Sequence, residues 1–225
     1  YPGEDEDDDE EDVPGILYMR PDASNEPPVT RAKFIEIRER QTLKFKLPED
    51  CFNHEFLLKA KERVLAQDSQ KSCTFYSDGG TTGSSSSVSM MGEGGSGAAI
   101  YLPDGKLLVR ISIYCGKCST NNRTEYVAIW KILELANMIG ITHIKGFSDS
   151  LNCVQQLKDQ YDVCEELQTY HRQAKEESKK FISFEISHVR SHGKDSRKEL
   201  HRGNNLADSL ATLAHKNKIS RVLWG

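Results

Sequence analysis

Four carboxylates stand in settings where a side chain of that type could do chemistry. Asp78 follows an apolar run in FYSDGG, Glu125 comes at the end of STNNRTE, Asp149 closes GFSD, and Asp208 lies in RGNNLADSLA. Carboxylates that converge offer hard oxygen ligands to a divalent cation and can carry protons. Taken singly, a carboxylate near a helix start is a cap or a partner for the helix dipole. The elements that carry the four acids decide between these readings.

From Cys73 the run CTFYSD predicts a buried strand. GAAIYL and LLVRISIY predict two more, joined by a turn at Pro103, Asp104 and Gly105, so the three form an antiparallel meander. Tyr126, Ile129, Leu133 and Ala136 recur at helical spacing and predict a helix over 123–139, with Gly140 placed to stop it. A strand over 143–148, helices over 150–158 and 163–180, a strand over 181–189 and a last helix over 204–218 complete the pattern. Strand, helix and strand in succession argue for parallel pairing through right-handed crossovers, hence a mixed sheet covered by helices on both faces. Asp78 and Asp149 then end strands, where open sheets bind ligands, while Glu125 and Asp208 fall early in helices. The stretch Thr81 to Ser96 (TTGSSSSVSMMGEGGS) has the composition of a flexible loop.

Together, and in this order, these pieces resemble the type 1 ribonuclease H family. The resemblance rests on Asp78-Gly79 at the first strand, the run Thr120-Asn121-Asn122-Arg123-Thr124-Glu125, Ser148-Asp149-Ser150, and His192 followed by Gly203-Asn204 and Ala207-Asp208. It covers Cys73 to about Lys218. It implies an α/β fold, a ribonuclease H-like mixed five-stranded sheet flanked by helices, with an N-terminal extension. It also implies hydrolysis of the RNA strand of RNA/DNA hybrids with two Mg²⁺ ions, for which Mn²⁺ can substitute. In-line hydrolysis needs an activated water and a stabilised leaving alkoxide, and two ions about 4 Å apart serve both. By the same resemblance Asp78 bridges both ions, Glu125 and Asp149 hold the leaving-group ion, and Asp208 helps hold the other. His192 matches a mobile histidine associated with proton transfer or product release. Gly79, Gly80, Thr120, Asn121, Asn122 and Asn204 make up the substrate-binding set. Asn121 and Asn122 match residues that touch the hybrid minor groove, where the RNA 2′-hydroxyl is displayed; as plain helix-start residues they would be N-caps.

The chain departs from the family pattern in places. The loop from His192 to Asp208 is long, and His201 within it competes with His192. Cys118 beside Lys117 stands where many members carry an arginine, and no tryptophan-bearing basic protrusion follows the second helix: Trp130 reads as core and Trp224 as tail. Hybrid affinity is therefore expected to draw on a partner domain or on the N-terminal extension. The Cys115-Gly-Lys-Cys118 pair lacks the second pair a structural zinc site needs. Asp78-Gly-Gly-Thr-Thr-Gly83 also looks like the phosphate loop of the sugar kinase and actin group, but no second copy follows.

A chain of 225 residues holds one domain of about 150 plus an appendage. The expected organisation is an acidic tail and linker over 1–30, an extension packing on the core over 31–72, the catalytic domain over 73–218 and a C-terminal tail over 219–225. Within the extension, residues 43–47 read as a strand, and Phe56, Leu57, Ala60 and Val64 place a helix over 53–66. Glu4 to Asp12 is an unbroken run of nine acids, and setting it aside leaves 25 acidic against 30 basic residues. Such a run is a solvated tail or a mimic of nucleic acid. Six cysteines at irregular spacing point to a reducing intracellular compartment, and the absence of a long apolar run points to a soluble protein without a membrane. A start at Tyr1 suggests excision from something longer, so further domains or subunits of a larger polypeptide or ribonucleoprotein are expected partners besides the RNA/DNA hybrid. The competing function keeps the fold and drops the chemistry: an RNA-binding component of a ribonucleoprotein.

Overall fold

A computed structural model describes residues 27–30, 32–33, 36–37, 40, 45–48, 53–82, 92–190 and 198–225, without the side chains of 117–119 and 198–201. The chain divides into two compact units, Tyr1–Lys44 and Phe45–Gly225. In the first, Glu36 pairs with Lys33 and Arg40 at helical spacing. The nine-acid run lies outside the described residues.

The second unit runs α1 (His54–Gln67), β1 (Ser72–Thr81), β2 (Gly92–Tyr101), β3 (Leu107–Ser119), α2 (Asn121–Ile139), β4 (His143–Ser148), α3 (Leu151–Leu157), α4 (Glu165–Ser178), β5 (Ser183–His188), α5 (Lys198–Asn217) and β6 (Arg221–Trp224). Its strands form one sheet in the order β5-β4-β1-β2-β3-β6. The pairs β1–β2, β2–β3 and β3–β6 are antiparallel, and β1–β4 and β4–β5 are parallel. The meander joined to parallel strands is the mixed sheet expected, with six strands instead of five. The sixth comes from the C-terminal tail, where Val222 is buried and the Trp224 ring lies 4.3 Å from that of Phe56. Four residues are too few to display a period of two, which is why the segment reads as tail.

The core forms around α2, which is buried on nearly every side from Thr124 to Ile139. Gly140 ends it in the left-handed region at φ 85°, donating its N–H to the carbonyls of Ala136 and Asn137. The α1 helix buries Phe56, Ala60 and Val64, the face read from its spacing, and Asn53 caps it by accepting from the Phe56 N–H. The strand expected over 43–47 is absent from Phe45 to Leu47, and Leu43 and Lys44 lie outside the described residues.

Two expectations are corrected by how α5 packs. The glycine-rich end of the supposed flexible loop, from Gly92, is part of β2. A Cβ at Gly95 would stand 2.1 Å from the Ala211 carbonyl oxygen, and one at Gly97 would stand 2.1 Å from that of Ala207. These glycines let α5 lie directly on the sheet, and Ser112 Oγ fixes it by donating to the Leu210 carbonyl at 2.9 Å. The α5 helix also begins by Lys198, so Asp208 lies at its middle and much of the supposed loop is helical. No helix among the described residues is long and apolar enough to cross a membrane.

Candidate active site

Parallel register brings two of the acids together. Ser77 of β1 is opposite Ser148 of β4, so Asp78 and Asp149, each one residue further along, leave the same end of the sheet side by side. Glu125 arrives from α2, whose first turn is fixed by the Thr120 hydroxyl accepting from the Arg123 N–H and the Thr124 hydroxyl donating to the Asn121 carbonyl at 2.8 Å. Ser96 of β2 adds a third tie by donating to the Thr124 carbonyl at 2.6 Å. Strand and helix then meet at Gly79, where a Cβ would sit 2.3 Å from the Glu125 nitrogen. Only glycine permits that approach, and it sets Asp78 against Glu125. Gly80 has open space where its Cβ would be, so the close approach belongs to Gly79 and not to its neighbour.

Carboxylate oxygens of Asp78, Glu125 and Asp149 all lie within 4.8 Å of one another. Burial pushes the Asp78 carboxyl up to about 7, helped by the negative charges of Asp149 and Asp208 and opposed by the Gly79 N–H. Glu125 is raised well above its usual range, by burial first and then by Asp78 and Asp149. Asp149 is raised by burial too, while an Asn204 side-chain hydrogen bond pulls it back. Mutual side-chain hydrogen bonding between Asp78 and Glu125 raises the Glu125 carboxyl and lowers that of Asp78, a smaller effect than burial in both. One oxygen of Glu125 (Oε2) and one of Asp149 (Oδ1) are buried without a hydrogen-bond partner. Orphaned acceptors of this kind are costly unless something positive satisfies them. A divalent cation with hard-oxygen preference fits this donor set of three converging carboxylates.

The remaining expected residues divide. Asp208 is exposed and is not within the three-acid group, although its charge reaches Asp78 and Asp149. Asn204 is buried and its side chain hydrogen-bonds Asp149. Gly203 makes this possible, because a Cβ there would stand 2.3 Å from the Tyr76 ring. Asn121 and Asn122 are exposed at the start of α2, and Thr120, not an asparagine, is the N-cap. His192 lies outside the described residues, as does the side chain of His201. The sequence reading passed over His188, at the end of β5, whose Nε2 lies 3.2 Å from the Asp149 carbonyl oxygen. Its place at the end of the third parallel strand, beside Asp149, was the available signal. Cys115 is buried, its thiol pushed up to about 12 by that burial, which is the reverse of a reactive redox cysteine. The Cys118 side chain lies outside the described residues.

A protein-family model described as reverse transcriptase-like matches residues 82–214. The chain belongs to that family. Its fold is that of ribonuclease H. The RNase H1 of Halobacterium salinarum NRC-1 is 25% identical, with 66% of this chain and 99% of that one covered at a TM-score of 0.53. LC11-RNase H1, solved in complex with an RNA/DNA hybrid, is 24% identical over 65% of this chain and 98% of that one, TM-score 0.52. The prototype foamy virus protease-reverse transcriptase is 21% identical over 64% of this chain and 20% of that one, TM-score 0.52. No curated protein sequence matches. This reverse transcriptase-like ribonuclease H domain extends at its N-terminal side beyond the matched span, which begins after Asp78.

Proposed function

We propose that the chain is a metal-dependent endonuclease that hydrolyses the RNA strand of RNA/DNA hybrids. The observation that carries this reading is the convergence of Asp78, Glu125 and Asp149 within 4.8 Å, with orphaned oxygens on Glu125 and Asp149. A site retired from chemistry has no need to hold two buried acids and a half-buried third against one another, which is why the RNA-binding scaffold is the weaker account. That the similar LC11-RNase H1 was solved with an RNA/DNA hybrid supports the choice of substrate.

In this reading Asp78, Glu125, Asp149 and Asp208 would hold two Mg²⁺ ions, with Mn²⁺ able to substitute. When bound, such ions activate a water and stabilise the leaving oxygen. The protein's own part is positioning. Gly79 brings β1 onto α2 and offers its N–H to the Asp78 and Glu125 carboxylates. Asn204 orients Asp149 from α5. Asp208, exposed, completes the set from solvent side. Asn121 and Asn122 present amides to the hybrid, Thr120 fixes the helix that bears them, and Gly80 leaves the strand end open to substrate backbone. His192 moves a proton or aids product departure.

The test is digestion of a labelled RNA/DNA hybrid, an RNA duplex and a DNA duplex, each with and without Mg²⁺. Cleavage confined to the RNA strand of the hybrid, dependent on the ion and lost in Asp149→Asn, is expected. Hybrid binding without cleavage in the wild type would leave the scaffold as the better account.

A further inference from the structure

The two elements that deliver Asp78 and Glu125 meet again one step further out. Thr81 is three residues beyond Asp78 on β1, and Asn121 is four residues, about one helical turn, before Glu125 on α2. The Thr81 hydroxyl donates to Asn121 Oδ1 at 2.7 Å. The close contact at Gly79 holds strand and helix at the separation this bond needs. Asn121 has its backbone secured by the Thr124 hydroxyl on its carbonyl, yet its side chain is exposed and would otherwise rotate freely.

We propose that Thr81 is a positioning residue for hybrid recognition, locking the Asn121 amide so that its Nδ2 hydrogens face the bound nucleic acid. The inference rests on the hybrid-cleaving reading of the site. An amide has one accepting and one donating end. With Oδ1 occupied by Thr81, Asn121 offers a donor, the complement of the purine N3 and pyrimidine O2 acceptors that every base pair displays in the minor groove. Such a donor reads hybrid geometry without reading base sequence. Because the Thr81–Asn121 bond is exposed, it adds little to folding; its effect lies in removing rotamer freedom before binding.

Thr81→Val keeps the side chain's shape and removes the donor. A bond of this kind predicts about a five-fold rise in KM on a hybrid, with kcat within about two-fold and an unchanged melting temperature. Thr81→Ser should restore the wild-type KM. Asn121→Ala should raise KM by at least as much, and Thr81→Val added to it should do nothing more, since the two act as one unit. Effects that multiply, or a loss confined to kcat, would overturn the proposal. The same cycle read as hybrid affinity in an Asp149→Asn background is independent of turnover. A coupled cycle there without cleavage by the wild type refutes the nuclease reading alone, whereas cleavage with uncoupled variants refutes the role of Thr81 alone. A wild type with no affinity for the hybrid overturns both.

Discussion

Asp78→Asn separates what the acid cluster does for chemistry from what it does to stability. The ordinary aspartate carboxyl ionises near 3.9, and in the fold Asp78 is pushed up to about 7 by burial and by its acidic neighbours. Between those values the folded chain holds a proton that the unfolded chain has lost, so stability falls as pH rises, by about 1.4 kcal/mol per unit. The penalty is absent below pH 4 and complete above pH 7, where it reaches about 4 kcal/mol at most. Asparagine fills the same space without the charge. At pH 8 without metal the variant should therefore melt higher than the wild type, by up to about 8–16 °C for a domain of this size. Near pH 4 the two should coincide. Mg²⁺ should raise the wild-type melting temperature at pH 8, by the equivalent of about 2.7 kcal/mol at a concentration a hundred times Kd, and should act far less on the variant. Thermal melts at pH 4, 6 and 8, with Mg²⁺ or with chelator, read all of this. A variant that is less stable than the wild type at pH 8 in chelator, or a difference that does not grow with pH, would refute the argument from buried repulsion.

Other expected outcomes follow from single contacts. Asp149→Asn should cut turnover by orders of magnitude while hybrid affinity in a filter or anisotropy assay stays near wild type. Gly97→Ala places a methyl where α5 now rests against β2 and should lower stability by about 1–3 kcal/mol in urea melts, with Gly80→Ala, which meets nothing, as the neutral control. Removing residues 221–225 uncovers Phe56 and takes the pairing partner from β3, so the melting temperature should fall by several degrees. Deleting residues 1–12 should tighten hybrid binding at low salt, with the gain fading as ionic strength rises.

The acid cluster could be read from the sequence because strand ends and helix starts are marked by local chemistry. Asp78 and Asp149 each follow a segment that reads as a strand, and parallel register carries them to one end of the sheet. What local patterns do not carry is which neighbour a residue meets. Gly92 to Gly97 looks like a linker by composition, yet Gly95 and Gly97 are empty so that the α5 backbone can occupy the space their side chains would take. The information lies in Ala207 and Ala211, more than a hundred residues away. The start of α5 was hidden for a related reason: Lys198 to Arg202 has a single apolar residue, Leu200, too few to show a period, so the helix becomes visible only where it reaches the sheet.

The same blindness explains Asn204. Its place in the Gly203-Asn204 motif, four residues before Asp208, carries a substrate contact by resemblance. Once α5 is continuous, Asn204 and Asp208 are one helical turn apart and share a face. Gly203 lets that face settle on the Tyr76 ring, which carries Asn204 down to Asp149 while Asp208 stays in solvent. The motif thus supplies two different things from one helix turn: a buried amide that steadies an acid already in place, and a solvated acid that adds charge at the rim. Asn204→Ala should then behave like a weakened Asp149, raising its carboxyl further and shifting the Mg²⁺ requirement to higher concentration in a hybrid-cleavage titration. Asn204→Ala with an unchanged Mg²⁺ midpoint and a raised KM for hybrid would return Asn204 to the substrate contact the sequence suggested.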